Sequence, residues 1–152
     1  MIQRIQSVYL FASLCILVPM FFAPVAEMIY ETGEIFAFNL TGFYQIEAGA
    51  TITLSYQYTI LALGILICAL NLIAIFMYKI RVLQIRICIY NILFLAGLTG
   101  IGLFTLYSIQ DVRSVSYSLP AVFPFISIIL HFLAFRGIRR DDMMVLALSR
   151  LR

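Results

Sequence analysis

The chain has 152 residues, of which 64% are hydrophobic and only 11% are charged. Soluble domains carry about 25% charged residues, so this composition excludes an ordinary soluble protein. The net charge of +3 comes from basic residues beside apolar stretches, which a membrane topology explains without a nucleic-acid partner. The length leaves no room for a separate soluble domain, so we expect a single membrane domain over residues 1–152.

Four long stretches of the chain contain no Asp, Glu, Lys or Arg. They cover residues 5–26, 48–78, 87–110 and 114–135. Each exceeds the roughly 20 residues that a helix needs to cross a hydrocarbon core. Backbone polar groups in lipid must also bond internally, which favours helices. We therefore predict transmembrane helices at about residues 5–28, 56–78, 87–108 and 119–136.

The first stretch has an alternative interpretation as a cleaved signal peptide, because a short basic segment ending at Arg4 precedes it. Its apolar run is too long for such a peptide, and Pro24 would occupy the −3 position if cleavage followed Ala26. We therefore expect a retained span. Pro19 and Pro24 are expected to kink or end its helix, and Glu27 to form its solvated cap.

The connection at residues 29–55 contains an alternating segment, EIFAFNLTGFYQIE, at residues 34–47. Phe36, Phe38 and Leu40 alternate with small or polar residues, and Thr41-Gly42 offers a turn. This pattern predicts a small β-hairpin that packs on the mouth of the bundle. Residues 48–55 are assigned to the loop. The predicted fold is an all-α membrane protein, a four-transmembrane-helix bundle with this hairpin and an amphipathic C-terminal helix.

Nine of the ten basic residues lie on one side of the predicted membrane, and only Arg113 lies on the other. Cytoplasmic loops carry the excess of Lys and Arg in membrane proteins. We therefore expect both termini and the connection between the second and third spans to be cytoplasmic.

The three cysteines, Cys15, Cys68 and Cys88, fall within or at the edge of the predicted spans and form no CxxC motif. This placement disfavours structural disulfides and thiol exchange, so we expect these side chains to pack between helices.

The strongest candidate site is an intramembrane polar cluster of Asn71, Asn91 and His131. Because helices alternate in direction, these three residues lie at a similar depth, near the basic side. One interpretation is a polar substrate or proton site, and the other is hydrogen bonding that locks the helices together. One histidine and two asparagines do not make an ordinary metal site, so we predict no metal, no cofactor and no catalytic residue.

Small residues form two surfaces that are expected to allow close helix contact, within the bundle or with a partner. They are Ala96, Gly97, Gly100 and Gly102 on the third span, and Ala62, Gly64, Cys68 and Ala69 on the second.

The tail at residues 137–152 has the pattern of a capped amphipathic helix. Asp141 and Asp142 suit its N-terminus, and Arg150 and Arg152 suit its C-terminus. Such a short helix needs a surface, which would be anionic lipid or a cytoplasmic protein. The basic residues predicted to contact lipid or a partner are Arg4, Lys79, Arg81, Arg86, Arg139, Arg140, Arg150 and Arg152.

Three segments carry a resemblance that covers the whole chain: the start MIQRIQSVYL, the connection from Lys79 through LQIR at residues 83–86, and the ending from IRRDD at 138–142 to SRLR at 149–152. They resemble an uncharacterised four-span family of the Bacteroidota that carries a domain of unknown function. One departure is that Asp141-Asp142 stands where Asp-Glu is expected. The resemblance implies a bacterial cytoplasmic (inner) membrane protein and brings no catalytic residues.

The sequence thus favours a non-enzymatic accessory or assembly subunit of a membrane complex, since it offers no nucleophile–base pair. The alternative is a small transporter or channel for an apolar or neutral solute that uses the level of Asn71, Asn91 and His131.

Overall fold

The computed structural model describes residues 3–30, 34–47, 50–77, 80–109 and 112–150. Within these ranges the helices are α1 (Gln3–Leu17), α2 (Tyr58–Phe76), α3 (Arg81–Tyr107) and α4 (Phe123–Arg150). Short 3-10 turns follow α1 at Val18–Phe21 and precede α4 at Leu119–Val122. The strands are β1 (Ala26–Tyr30), β2 (Ile35–Asn39), β3 (Gly42–Glu47), β4 (Ala50–Tyr56) and β5 (Val112–Tyr117).

The prediction of an all-α bundle with one outer hairpin is wrong, because the five strands form an antiparallel sheet and make the protein mixed α/β. The strand order is β4-β3-β2-β1-β5. The predicted hairpin is present as β2 and β3, which pair from Ile35↔Ile46 to Asn39↔Gly42. It forms the centre of the sheet, with β4 on one side and β1 and β5 on the other.

The strands that the prediction missed lie in segments that look apolar or loop-like. β1 occupies residues assigned to the end of the first span, and Glu27 pairs there with Ala37 and Ser116 instead of capping a helix. Ala26 and Met28 are fully buried while their neighbours are less so, which is the period-two burial of a strand. β4 occupies the segment assigned to the loop, where β-branched residues favour extended backbone.

The turn between β2 and β3 is closed by the side chain of Asn39. Its Oδ1 accepts hydrogen bonds from the backbone N–H groups of Thr41 and Gly42 at 2.9 and 3.0 Å, and from the Thr41 hydroxyl at 2.6 Å. Gly42 has a φ of +153°, and a Cβ there would overlap the carbonyl oxygen of Ser55. The turn therefore requires glycine both for its backbone conformation and for the close approach of β4.

The hairpin rests on the helices through Leu40, whose side chain is buried. A Cβ added to Gly64 of α2 would lie 2.8 Å from Leu40 Cδ2 and 3.2 Å from Phe21 Cζ. The missing side chain of Gly64 thus makes room for the hairpin, so the small-residue surface of α2 receives the sheet at this point.

The two ends of the bundle differ in structure. All five strands lie in the α1–α2 and α3–α4 connections, which places the sheet at one end, hereafter the sheet end. The start of α1, the short α2–α3 connection and the end of α4 lie at the other, hereafter the basic end. One apolar cluster, including Leu17, Phe38 and Ile60, packs towards the sheet, and a second, including Leu10 and Ile138, packs towards the basic end.

Three helices are long and apolar enough to cross a membrane: Tyr58–Phe76, Arg81–Tyr107 and Leu119–Met144. The fourth apolar helix, Ser7–Phe21, is shorter than the predicted first span because the chain turns at Pro19 and continues as β1. The predicted separate tail helix is also corrected, since α4 runs without a break from Phe123 to Arg150.

Candidate functional site: a buried polar layer

A layer of polar side chains crosses the middle of the bundle. It consists of Ser13 of α1, Asn71 of α2, Asn91 of α3, and Ser127 and His131 of α4, hereafter the polar layer. All five side chains are fully buried. Every helix contributes to the layer, so it connects the whole bundle.

The layer lies between the two apolar clusters. In α2, Ile67 belongs to the cluster towards the sheet and Ala74 to the cluster towards the basic end, and Asn71 lies between them on the same buried face. In α3, Asn91 lies in the same way between Leu95 and Cys88. The spacing of three and four residues keeps each polar residue on the inward side of its helix.

His131 is the centre of the hydrogen bonding in this layer. Its Nδ1 lies 2.9 Å from the carbonyl oxygen of Ser127 and 3.2 Å from Oγ of Ser13, and its Nε2 lies 3.1 Å from Nδ2 of Asn91. A carbonyl only accepts, so Nδ1 carries the proton. Nε2 then has a free lone pair, to which the Asn91 amide donates. The arrangement fits a neutral imidazole that links α1, α3 and α4.

Of the three residues predicted to form the cluster, the structure joins Asn91 and His131 directly. Asn71 is buried at the same level, but neither of its amide atoms has a hydrogen-bond partner. Ser13 and Ser127 were not predicted, because a serine in an apolar helix often bonds its own backbone. The signal for Ser13 is its position midway between the buried Leu10 and Leu17.

The pairing of Ser13 with His131 has the residue types of a nucleophile and a base, but its geometry opposes that chemistry. A base must accept the serine proton, whereas Nδ1 already donates to the Ser127 carbonyl. Both side chains are also fully buried between apolar clusters. The arrangement instead suits interhelical bonding.

The described part of the chain contains no group of three or more His, Cys, Asp or Glu residues that could hold a metal ion. Cys15, Cys68 and Cys88 are free, at exposed, partly buried and buried positions respectively.

A further interhelical hydrogen bond lies nearer the basic end. The buried Gln84 of α3 donates from Nε2 to the carbonyl oxygen of Ala74 in α2, at 3.1 Å. This bond ties the start of α3 to the end of α2 just beside their short connection. It gives a structural role to one residue of the LQIR segment.

The small-residue surface predicted on α3 is not used for packing inside the chain. A Cβ added to Gly97, Gly100 or Gly102 would meet no atom within 4 Å. The small-residue surface of α2 differs, because Leu40 of the hairpin packs closely against Gly64 there.

The predicted lipid or partner contacts differ in how far the structure describes them. Arg81 and Arg86 lie in the first turns of α3, and Arg139 and Arg140 are exposed on α4. Arg4 and Arg150 lie in α1 and α4, where the structure describes only the backbone. Lys79 and Arg152 lie outside the described residues.

The model of a family named for a domain of unknown function, DUF4293, matches residues 2–151 of the chain. No curated protein matches the chain. The family match confirms that part of the resemblance which pointed to a domain of unknown function, while the bacterial group and the number of spans stay predictions.

Proposed function

The chain belongs to the family of the domain of unknown function DUF4293. We propose that it is an integral membrane protein that acts as a non-enzymatic accessory or assembly subunit of a membrane complex. In this proposal the three long helices cross the cytoplasmic membrane of a bacterium, and the shorter α1 crosses it together with the 3-10 turn that follows it. The sheet end faces outwards, and both termini lie in the cytoplasm.

The surface of the bundle supports this membrane placement. Large apolar side chains are exposed on all the long helices, among them Ile65 of α2, Leu93 of α3 and Ile129 of α4. A surrounding lipid bilayer would keep these side chains out of contact with water, which removes the free-energy cost of exposing them. The basic residues at one end and Arg113 alone at the other support the orientation, because cytoplasmic segments carry the positive charge.

The observation that carries the accessory role is the edge strand β4. Among the described strands it pairs with β3 alone, so its other edge presents backbone N–H and C=O groups that no described strand binds. Ile52, Leu54 and Tyr56 are each about half exposed along it. Proteins usually protect such an edge with lysine, proline or a covering segment, and β4 has neither residue. An extended segment of a partner protein would add to this edge as a further strand.

The buried polar layer favours this role over solute transport. A transport path needs polar groups that a solute can reach, whereas these lie closed between two apolar clusters. Hydrogen bonds from α4 to α1 and α3 would hold the bundle rigid and so fix the position of the sheet.

Site-specific photo-crosslinking in living cells tests the proposal. A photoreactive residue at Leu54 of β4 is expected to give one discrete protein adduct, and the same residue at Ile129 on the lipid-facing side of α4 is expected to give none. The protein that crosslinks at Leu54 should co-purify with the wild-type chain in mild detergent. It should no longer co-purify with the L54K variant, because a lysine on an edge strand opposes the addition of a further strand.

The matched control is V115K on β5, the opposite edge of the sheet, which should leave co-purification intact. Recovery of a clean monomer with no adduct at Leu54 would overturn the accessory role. Equal loss from L54K and V115K would show that β4 is not the docking edge.

A further inference from the structure

A stripe of arginine and apolar side chains runs along the exposed side of α4 at the basic end. Its members are Phe132, Phe135, Arg136, Arg139, Arg140 and Met143, hereafter the arginine stripe, and they line an open groove of about 400 Å³. The buried side of the same helix segment carries His131, Ala134 and Ile138. The helical repeat turns Phe132, Met143 and the arginines away from that side, whereas Phe135 is partly buried and packs against the apolar cluster towards the basic end.

Three arginines give this surface a concentrated positive charge. Arg139 and Arg140 lie three and four residues after Arg136, so their guanidinium groups neighbour that of Arg136 and repel it. Within the described residues none of the three forms an ion pair. Asp141 lies on the buried side of α4, and Asp142 is partly buried. An anion on the stripe would relieve the repulsion, and guanidinium groups suit phosphate because they donate two parallel hydrogen bonds.

The groove is apolar towards the middle of the helix. Phe132 and Phe135 have ring centroids 6.4 Å apart and precede the arginines in α4, on the side towards the sheet end. Further along the same side, Val122, Phe125 and Ile129 are each about half exposed. From Phe125 to Arg136 the helix rises about 16 Å at 1.5 Å per residue, which is about half of the roughly 30 Å hydrocarbon core, or one leaflet.

We infer that the arginine stripe is a binding site for an anionic glycerophospholipid. The lipid phosphate lies across Arg136, Arg139 and Arg140, and an acyl chain follows Phe132, Ile129 and Phe125 towards the sheet end. The arginines lie near the end of the helix and the apolar side chains lie nearer its middle. A membrane lipid has the same arrangement, with its charged headgroup at the membrane surface and its acyl chains in the interior. The inference rests on the proposed membrane placement and is independent of the partner at β4.

The test measures lipid binding by the purified chain in mild detergent, using native mass spectrometry. The probes are phosphatidylglycerol and phosphatidylcholine with identical acyl chains. The wild-type chain should prefer phosphatidylglycerol, and R136Q/R139Q should weaken phosphatidylglycerol binding about 30-fold, as expected for two arginines at an anionic membrane surface. Phosphatidylcholine binding should change little.

The matched control is R81Q/R86Q on α3, which removes the same charge from the same end of the molecule. These two arginines are among the contacts predicted from the sequence, but they lie outside the groove on α4, so this variant should keep the preference. Equal loss in both variants would overturn the site, because the preference would then follow net charge alone. Displacement of the lipid by millimolar inorganic phosphate would show an anion site without lipid recognition and would also overturn it.

Two readouts separate this inference from the proposed function. Equal thermal unfolding midpoints of the variants in phosphatidylcholine establish that they are folded. Retention of the chain in alkali-washed membranes tests the membrane placement by itself. A chain that is retained there but shows no phosphatidylglycerol preference contradicts the lipid site alone.

Discussion

At the scale of single residues, His131 and Asn71 differ sharply although both are fully buried polar side chains at one level of the bundle. His131 has hydrogen-bond partners on both ring nitrogens, contributed by α1, α3 and its own helix. Asn71 has none on either amide atom. A buried polar atom without a partner costs free energy, whereas a bonded one is roughly balanced, so the two residues should respond differently to apolar replacement.

We expect H131L to lower the free energy of unfolding by about 1–2 kcal/mol, because it removes two interhelical contacts and leaves Asn91 without its acceptor. N71L should raise the free energy of unfolding by up to about 1 kcal/mol, because the leucine replaces two amide atoms that have no hydrogen-bond partner. Reversible unfolding in mixed detergent micelles measures both values. A larger loss from N71L than from H131L would contradict this account of the polar layer.

At the scale of elements, the sequence predicted the long helices α2 and α3 and the β2–β3 hairpin, because each has a strong local pattern. It missed β1, β4 and β5 for physical reasons. Ala26 and Met28 continue an apolar run, so the period of two is hidden beside a helical stretch. β5 is paired only through β1, which is distant in sequence, so no local pattern indicates its partner. The alternating direction of the helices predicted that Asn91 and His131 lie at one level. The hydrogen bond of Ser13 to His131 depends on how α1 packs against α4, which no local pattern of the sequence indicates.

The glycines provide a prediction at this scale. G42A should destabilise the protein by about 1–3 kcal/mol, because its Cβ would overlap the Ser55 carbonyl and its φ disfavours a side chain. G97A and G100A lie in open space on α3 and should instead stabilise it by about 0.5–1 kcal/mol each. Thermal unfolding of the three variants in one detergent makes the comparison. Marked destabilisation by G97A or G100A would indicate that this face of α3 is packed in the native protein.

At the scale of the whole molecule, the two ends are specialised. The sheet end carries hydrogen-bonding edges and one arginine, Arg113, while the basic end carries clustered arginines on α3 and α4. α4 joins them as one helix of 28 residues, about 42 Å long, which exceeds the roughly 30 Å hydrocarbon core. A single unbroken helix therefore runs from the sheet end to the basic end and is longer than a hydrocarbon core is thick.

The orientation of the two ends can be measured by cysteine labelling. In a background without the native cysteines, S116C on β5 should react with a membrane-impermeant maleimide in intact spheroplasts. I80C, at the exposed Ile80 in the α2–α3 connection, should react only after the membrane is opened. The reverse pattern would show that the charge-based orientation is wrong, and labelling of both in intact spheroplasts would contradict a spanning topology.

The pairing of β1 with β5 has a consequence for the order in which the protein is made. Ala26 pairs with Tyr117, and the register continues to Tyr30 and Val112, so the two strands belong to opposite halves of the chain. A ribosome releases β1 to β4 and the three helices α1, α2 and α3 before β5 exists, and during that interval β1 has an open edge. The sheet is complete only when β5, in the connection from α3 to α4, pairs with β1. The pairing of β1 with β5 therefore becomes possible late in biosynthesis, with α4 still to be made.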